Sequence, residues 1–244
     1  MKRGVAWIAA LVGILAIASQ MAAARTHAFY YDATEGHGTA VVLTNLLVEE
    51  TSAELYAYDS SGNEVAAVSV VLAGFASEAI FLEELVDGAS GRTWGLARVE
   101  TDGRIALAGW IHIGQQWLAI ENVSTPVAFP GEGEYSGYWF AANYANTANR
   151  TMGLSVINLS DESAVGEIYI YDAEGNPVSA RPFELTGRSA AFILLSDELE
   201  VGENMWGLID VRSDRLILLA CEYMDASGTL IDVDVVSRFY VVEP

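Results

Sequence analysis

Two stretches of this chain, ELYAYDSSGNEV (Glu54 to Val65) and EIYIYDAEGNPV (Glu167 to Val178), share an Asp-x-x-Gly-Asn centre. Closely spaced carboxylate and amide oxygens suit a calcium loop or a ligand-holding tip. The same residues also make a turn with no ligand at all. Asp accepts backbone N–H bonds, Gly supplies positive φ, and Asn tolerates similar conformations. Between Asp and Gly stand Ser60-Ser61 in one stretch and Ala173-Glu174 in the other. A cation site would not exchange its ligands so freely, so a hairpin turn is expected at both places.

The segment WIHIGQQW (Trp110 to Trp117) sets aromatic faces beside amide side chains, the chemistry of a surface on which sugars stack. Strand alternation puts Trp110 and His112 on one face. Trp110, His112, Gln115, Gln116 and Trp117 are therefore the candidate ligand-binding residues. The competing role for the two tryptophans is to cover a sheet edge or the contact with another domain.

Other reactive side chains are sparse. The three histidines, His27, His37 and His112, show no H-x-H or H-E-x-x-H spacing. His37, with Asp32 and Glu35 in YDATEGHG, comes nearest to a zinc set, but zinc needs three or four convergent ligands. Histidines in solvated loops are expected, with no metal and no cofactor. Asp232 and Asp234 share a face of a late strand, with Asp225 in the turn before it. Paired carboxylates can serve acid–base chemistry, yet among 33 acidic residues such neighbours arise without function. Cys221, the single cysteine, lies in the apolar run LILLACEYM and reads as a buried small hydrophobe. It cannot form an intramolecular disulfide. Asn122, Asn149 and Asn158 head Asn-x-Ser/Thr triplets, which carry glycans only in a host that attaches them. The G-x-S-x-G, G-x-x-x-x-G-K-[ST] and G-x-G-x-x-G signatures do not occur. No catalytic residue is assigned and the protein reads as a non-enzyme, a hydrolase of unrecognised type being the remaining alternative.

The elements that would carry these side chains come in two copies. Glu54 and Glu167 stand 113 residues apart, and the same spacing pairs Asn45 with Asn158, Leu72 with Leu185, and Gly74 with Gly187. TWGLARVETD (Thr93 to Asp102) then matches MWGLIDVRSD (Met205 to Asp214) at a spacing of 112. Such a repeat marks a duplicated domain. Within each copy AELYAYD, EVAAVSVVL, SEAIFL, WGLARVE and RIALAGWIHI alternate apolar and polar residues between Gly, Asp, Asn and Ser, as half-buried strands do. Only FLEELV and LLSDELEV suggest a helical turn. The expected fold is all-β, two tandem homologous antiparallel β-sandwich domains, at residues 25–129 and 138–244 with a linker at 130–137. Residues shared by both copies, such as Trp94 with Trp206, Tyr56 with Tyr169 and Tyr58 with Tyr171, are expected to serve the fold. Function is sought where the copies differ.

Before the first copy, Lys2 and Arg3 precede an apolar run, Gly4 to Ala18, and an Ala-x-Ala step at Ala22 and Ala24. These are the parts of a secretory signal, with cleavage expected near Arg25 and an uncleaved membrane anchor as the alternative. Removing Lys2 and Arg3 from the 12 basic residues leaves 10 against 33 acidic ones, with no lysine among them. Such a surface repels phosphate backbones, so nucleic acid is not an expected partner, and the charge keeps an exported apolar protein soluble.

The pattern VLTN…ELYAYDSSGNEV followed by WGLARVETDGRIALAGW, repeated almost in full, resembles a class of exported bacterial tandem β-sandwich (Ig-like) repeat proteins. The aromatic-led YWFAANY strand before an Asn-rich turn is also similar, more faintly, to the small sandwich of sensory-rhodopsin-transducer-like proteins. The resemblance implies an extracellular, non-catalytic module and assigns no site residues. The expected role is adhesion, assembly or structure at the cell surface, secreted or periplasmic. Its partner would be another envelope or extracellular protein or a polysaccharide, and a homo-oligomer is open. The alternative is a carbohydrate-binding module using Trp110 and Trp117.

Overall fold

A computed structural model of the chain describes residues 25–87, 93–114, 116–120, 137–147, 149–236 and 239–242. The signal sequence, most of the expected linker and Gln115 lie outside them. Strands dominate. The first copy contains β1 (Arg25–Asp32), β2 (His37–Asn45), β3 (Thr51–Asp59), β4 (Glu64–Leu72), β5 (Ser77–Phe81), β6 (Trp94–Thr101), β7 (Ile105–Ile113) and β8 (Gln116–Ile120), with a short helix α1 (Leu82–Asp87) after β5. The second contains β9 (Gly137–Asn146), β10 (Arg150–Asn158), β11 (Ala164–Asp172), β12 (Pro177–Leu185), β13 (Ala190–Leu194), β14 (Met205–Ser213), β15 (Ile217–Asp225) and β16 (Leu230–Val236), with α2 (Leu195–Glu198) after β13. A last strand, β17 (Phe239–Val242), follows. Gly137, placed in the linker from the sequence, opens β9.

These strands form four antiparallel sheets. Sheet I runs β1-β6-β3-β4 and sheet II β5-β2-β7-β8. In the second copy, sheet III runs β13-β10-β15-β16 and sheet IV β12-β11-β14-β9-β17. Sheet IV repeats sheet I with β17 added, and sheet III repeats sheet II. Alternation decides what each pair of sheets encloses. In the first copy Phe29, Tyr31, Leu55, Val99, Val41, Leu43 and Ile111 point inward and are buried. In the second, Phe140, Ile168, Ile170, Val211, Leu154, Val156, Leu219 and Cys221 do the same. The helices close each sandwich, with Leu82 and Val86 of α1 and Leu195 of α2 buried.

The two Asp-x-x-Gly-Asn segments are turns with the same hydrogen bonds. Asp59 Oδ1 accepts from the Ser61 and Asn63 backbone N–H groups at 2.9 Å each, and Asn63 Nδ2 donates to Asp59 Oδ2 at 3.1 Å. Asp172 accepts from Glu174 N at 3.0 Å and Asn176 N at 2.8 Å, with Asn176 Nδ2 donating to its Oδ2 at 2.9 Å. Gly62 and Gly175 sit at φ 85° and 83°, where a side chain is strained. Asp225 makes a third turn of this kind, accepting from Ser227 N and Thr229 N. Its carboxylate thus serves the turn, while Asp232 lies 3.8 Å from Arg150 on a wet edge strand.

Asn45 and Asn158 are a second matched pair, and both are buried. Asn45 Nδ2 donates to the carbonyls of Glu49, Leu72 and Ala73, and its Oδ1 accepts from Leu47 N. Asn158 Nδ2 donates to Glu162 O and Thr186 O, and its Oδ1 accepts from Ser160 N. Each amide ties the loop after one strand to the end of another. This burial removes Asn158 from the possible glycan acceptors.

The copies are joined face to face. Outward-pointing Ala28, Tyr30, Tyr58 and Leu96 of sheet I are buried, as are outward-pointing Ser155, Ile157, Ala220, Glu222, Val233 and Val235 of sheet III. Backbone and side chains cross between them. Ala190 N donates to Ser60 O at 2.9 Å, Arg98 pairs with Asp161 at 3.4 Å, and the Arg188 guanidinium lies 4.9 Å over the Tyr58 ring. The buried apolar residues of both sandwiches form one continuous cluster, and β8 also lies against β16.

Candidate functional site

The outer face of sheet II carries the tryptophans singled out from the sequence. Register pairs Ala40 with Trp110, Gly38 with His112, and His112 with Trp117, so Trp110, His112 and Trp117 share the outward side. Gln116 pairs with Ile113 and so belongs to the opposite side by alternation. Gln115 lies outside the described residues. The His112 and Trp117 rings stand 4.7 Å apart, tilted by 46°. Trp117 is 54% exposed and Trp110 half-buried. His112 Nε2 lies 2.8 Å from Glu83 Oε1, while Glu83 Oε2 accepts from Thr39 N at 3.0 Å. Gly38 makes this possible, because a Cβ there would run into both His112 and Glu83. The remaining outward positions include Val42, Ala79, Ala106 and Ala108, and the strands place no acidic residue on this face.

A second polar group spans the joint, and of its members the sequence brought together only Asp32 and His37. On the first copy, Asp32 ends β1 and His37 opens β2. His37 Nδ1 lies 3.1 Å from Asp32 Oδ2, and Thr34 donates to Asp32 Oδ1 from its hydroxyl at 2.7 Å and its backbone at 2.9 Å. On the second copy, Ser155 of β10 donates to Glu222 Oε1 of β15 at 2.5 Å. Tyr30 of β1 approaches Glu222 from across the joint. Burial pushes the Glu222 carboxyl up to about 7, reinforced by the charge of Asp32 and opposed by the hydrogen bond from Ser155 and by Tyr30. Burial also works against the Asp32 charge, but hydrogen bonds from His37 and Thr34 outweigh it and hold Asp32 below its ordinary value. The hydrogen bond to Asp32 raises His37 in turn.

This seam corrects the expectation that the histidines occupy solvated loops. His27 is buried in β1, and His37 and His112 are each bound to a carboxylate on a folded strand. Glu35 is exposed at the β1–β2 turn, and no cluster of metal-ligating residues occurs among the described residues. One sequence signal pointed to the seam. Glu222 is the charged residue within LILLACEYM, and the first copy has Trp110 in its place. Cys221 beside it faces the core, with its thiol pushed up to about 12 by burial.

The outer face of sheet IV is the third candidate surface. Arg212 stacks over Trp139 at 5.1 Å and Tyr169 at 4.9 Å, and pairs with Asp210 at 2.9 Å. Shallow grooves of about 760 Å³ and 560 Å³ flank Arg212, the second lined by Tyr171, Trp206 and Leu208.

No family model matches the chain, and no curated protein matches it. Solved structures with partial likeness include a glycosyl hydrolase family 2 member from Bacteroides cellulosilyticus, at 12% identity and a TM-score of 0.17, covering 86% of this chain. The chain spans 27% of that protein. A lectin from Pleurotus ostreatus in complex with GalNAc is 10% identical with a TM-score of 0.25, over 91% of this chain and 79% of the lectin. The PBSX exported protein XepA is 10% identical with a TM-score of 0.25, over 79% of this chain and 82% of that protein.

Proposed function

We propose that this is an exported, non-catalytic binding and assembly protein that acts through the outer faces of its sheets. The outer face of sheet II carries the reading. In a chain with a net charge of −21, its strands present Val42, Ala79, Ala106, Ala108, Trp110 and Trp117 with no acidic residue among the outward positions. A contiguous apolar face on an acidic protein marks an interaction surface. The N-terminal signal-like segment favours an envelope or extracellular partner. The test is retention of the chain from Arg25 onward on cell-envelope fractions. Ala108→Arg, which puts a charge in the centre of the face, should abolish retention. Equal retention of the variant would sink the reading.

A carbohydrate ligand is the second reading, favoured by the exposed Trp117 ring held against His112, with Glu83 close enough to accept from a hydroxyl. Binding on a glycan array should be lost in Trp117→Ala, and unchanged binding would remove this site.

A further inference from the structure

The joint between the two copies uses only half of the surfaces that the duplication made. Sheet I meets sheet III inside the molecule. Sheet IV is the repeat of sheet I and sheet II is the repeat of sheet III, and apart from Glu83 of α1 at the Gly38–His112 end of sheet II no described element covers the outer face of either. We propose that the outer face of sheet II docks on the outer face of sheet IV of a second copy of this chain, repeating the internal joint between molecules in a head-to-tail series. This rests on the reading above and names its partner.

Three of the residues that sheet I places at the internal joint recur on sheet IV without cover, while Tyr30 gives way to Asn143. Tyr58 becomes Tyr171, Trp94 becomes Trp206, and Leu96 becomes Leu208. Leu96 is 0% exposed whereas Leu208 is 39%, and Trp206 is 64% exposed where Trp94 is half-buried against Tyr30. The turn glycines tell the same story. A Cβ on Gly62 would run into the Gly187 carbonyl of the other copy, while one on Gly175 would meet nothing.

The opposing surface has changed in a consistent direction. Three charged residues reach across the internal joint from the second copy: Glu222 to Tyr30, Arg188 to Tyr58, and Asp161 to Arg98. Their counterparts in the first copy are Trp110, Phe75 and Val48. Phe75 is 68% exposed and held at φ 58°, as Arg188 is at φ 62°, so the loop presents its ring where Arg188 presents its guanidinium. In the docked arrangement Phe75 covers Tyr171 of the neighbour. Asp210, at the Arg98 position, is paired to Arg212 on its own strand through Oδ2. Replacing charge by apolar surface suits a contact between two molecules that each carry a net charge of −21. The contact joins two different faces, so it generates a ring if the rotation closes and a filament if it does not. Lacking the tether between the copies, it depends on concentration.

Sedimentation of the chain from Arg25 onward, between about 1 µM and about 1 mM, should show mass growing with concentration beyond the dimer. Ala108→Arg and Leu208→Arg should each be monomeric, with far-UV circular dichroism and melting matching the parent. Mixed together they should form a one-to-one dimer and stop, since each retains one intact face. Phe75→Cys mixed with Tyr171→Cys should form a disulfide between molecules under oxidation, with buried Cys221 not competing. This second readout stands if an arginine variant fails to fold. A chain that stays monomeric throughout overturns the proposal, as does Leu208→Arg assembling normally, the result for a symmetric contact between two sheet II faces. A monomer that still binds envelope fractions through Ala108 overturns self-association while leaving the broader reading intact.

Discussion

Tyr30 of β1 and Glu222 of β15 meet across the joint, in an interface that also carries the Arg98–Asp161 pair and the Arg188–Tyr58 stack. The pair joins the two copies and makes their union sensitive to protons. Ser155 donates to Glu222 from β10, and the charges of Asp32 and His37 act on it from β1 and β2.

Folding raises the Glu222 carboxyl from its ordinary 4.5 to about 7. Between those values the folded protein holds a proton that the unfolded chain has released. Its contribution to stability therefore falls as the pH rises through this window and is constant on either side. Glu222→Gln, which keeps the shape without the charge, should match the parent at pH 4 and exceed it at pH 8 by about 2–3 kcal/mol. Urea denaturation at the two pH values measures the difference, and parallel pH profiles would refute the assignment.

In the Asp32–His37 pair the histidine has the same dependence as Glu222 and the aspartate the opposite one. His37 is raised, so its stabilisation is full below its ordinary 6.5 and is lost as the pH rises through the folded value. Asp32 is lowered, so its share is lost as the pH falls through its own folded value. In Asp32→Asn the His37 ring should titrate at a lower pH than in the parent, by NMR of the imidazole carbon-bound protons. An unmoved midpoint would show that Asp32 does not hold the ring.

Gly62→Ala and Gly175→Ala test the joint against a built-in control. Both turns have nearly the same φ, so each substitution costs about 1 kcal/mol in backbone strain. Gly62 alone abuts the Gly187 carbonyl of the other copy, next to the Ala190–Ser60 hydrogen bond. Its alanine variant should therefore lose more stability and become more susceptible to proteolysis between the copies. Equal losses would mean that the tip contributes nothing to the joint.

Asn45→Ala and Asn158→Ala should each cost about 2–3 kcal/mol, because each deletes an amide that serves several otherwise buried carbonyls. The two losses should agree to within about 1 kcal/mol, since the hydrogen-bond sets are equivalent. Thermal melting of the single variants checks this, and a silent Asn158→Ala would break the equivalence.

The local pattern already contained most of the strands, both short helices, the three Asp-led turns and the inward side of Cys221. The reason is that alternation, turn chemistry and apolar runs act over a few residues and leave their mark in neighbouring positions. Among the ligand candidates, alternation correctly put Trp110 and His112 together. It did not disclose the bond of His112 to Glu83, which arrives from α1 in another part of the chain. His27 and His37 were misread because nothing near them signals that β1 begins at Arg25 and is buried on both sides.

The sequence by itself determined that there are two sandwiches and which side of each strand faces its own core. It could not decide which outward faces remain open. Tyr58 and Tyr171, or Leu96 and Leu208, occupy the same place in equivalent strands, yet the first of each pair is buried and the second is not. Only the packing of sheet I on sheet III separates them. That packing depends on side chains such as Tyr30 and Glu222, which lie far apart along the chain and meet when both copies have folded.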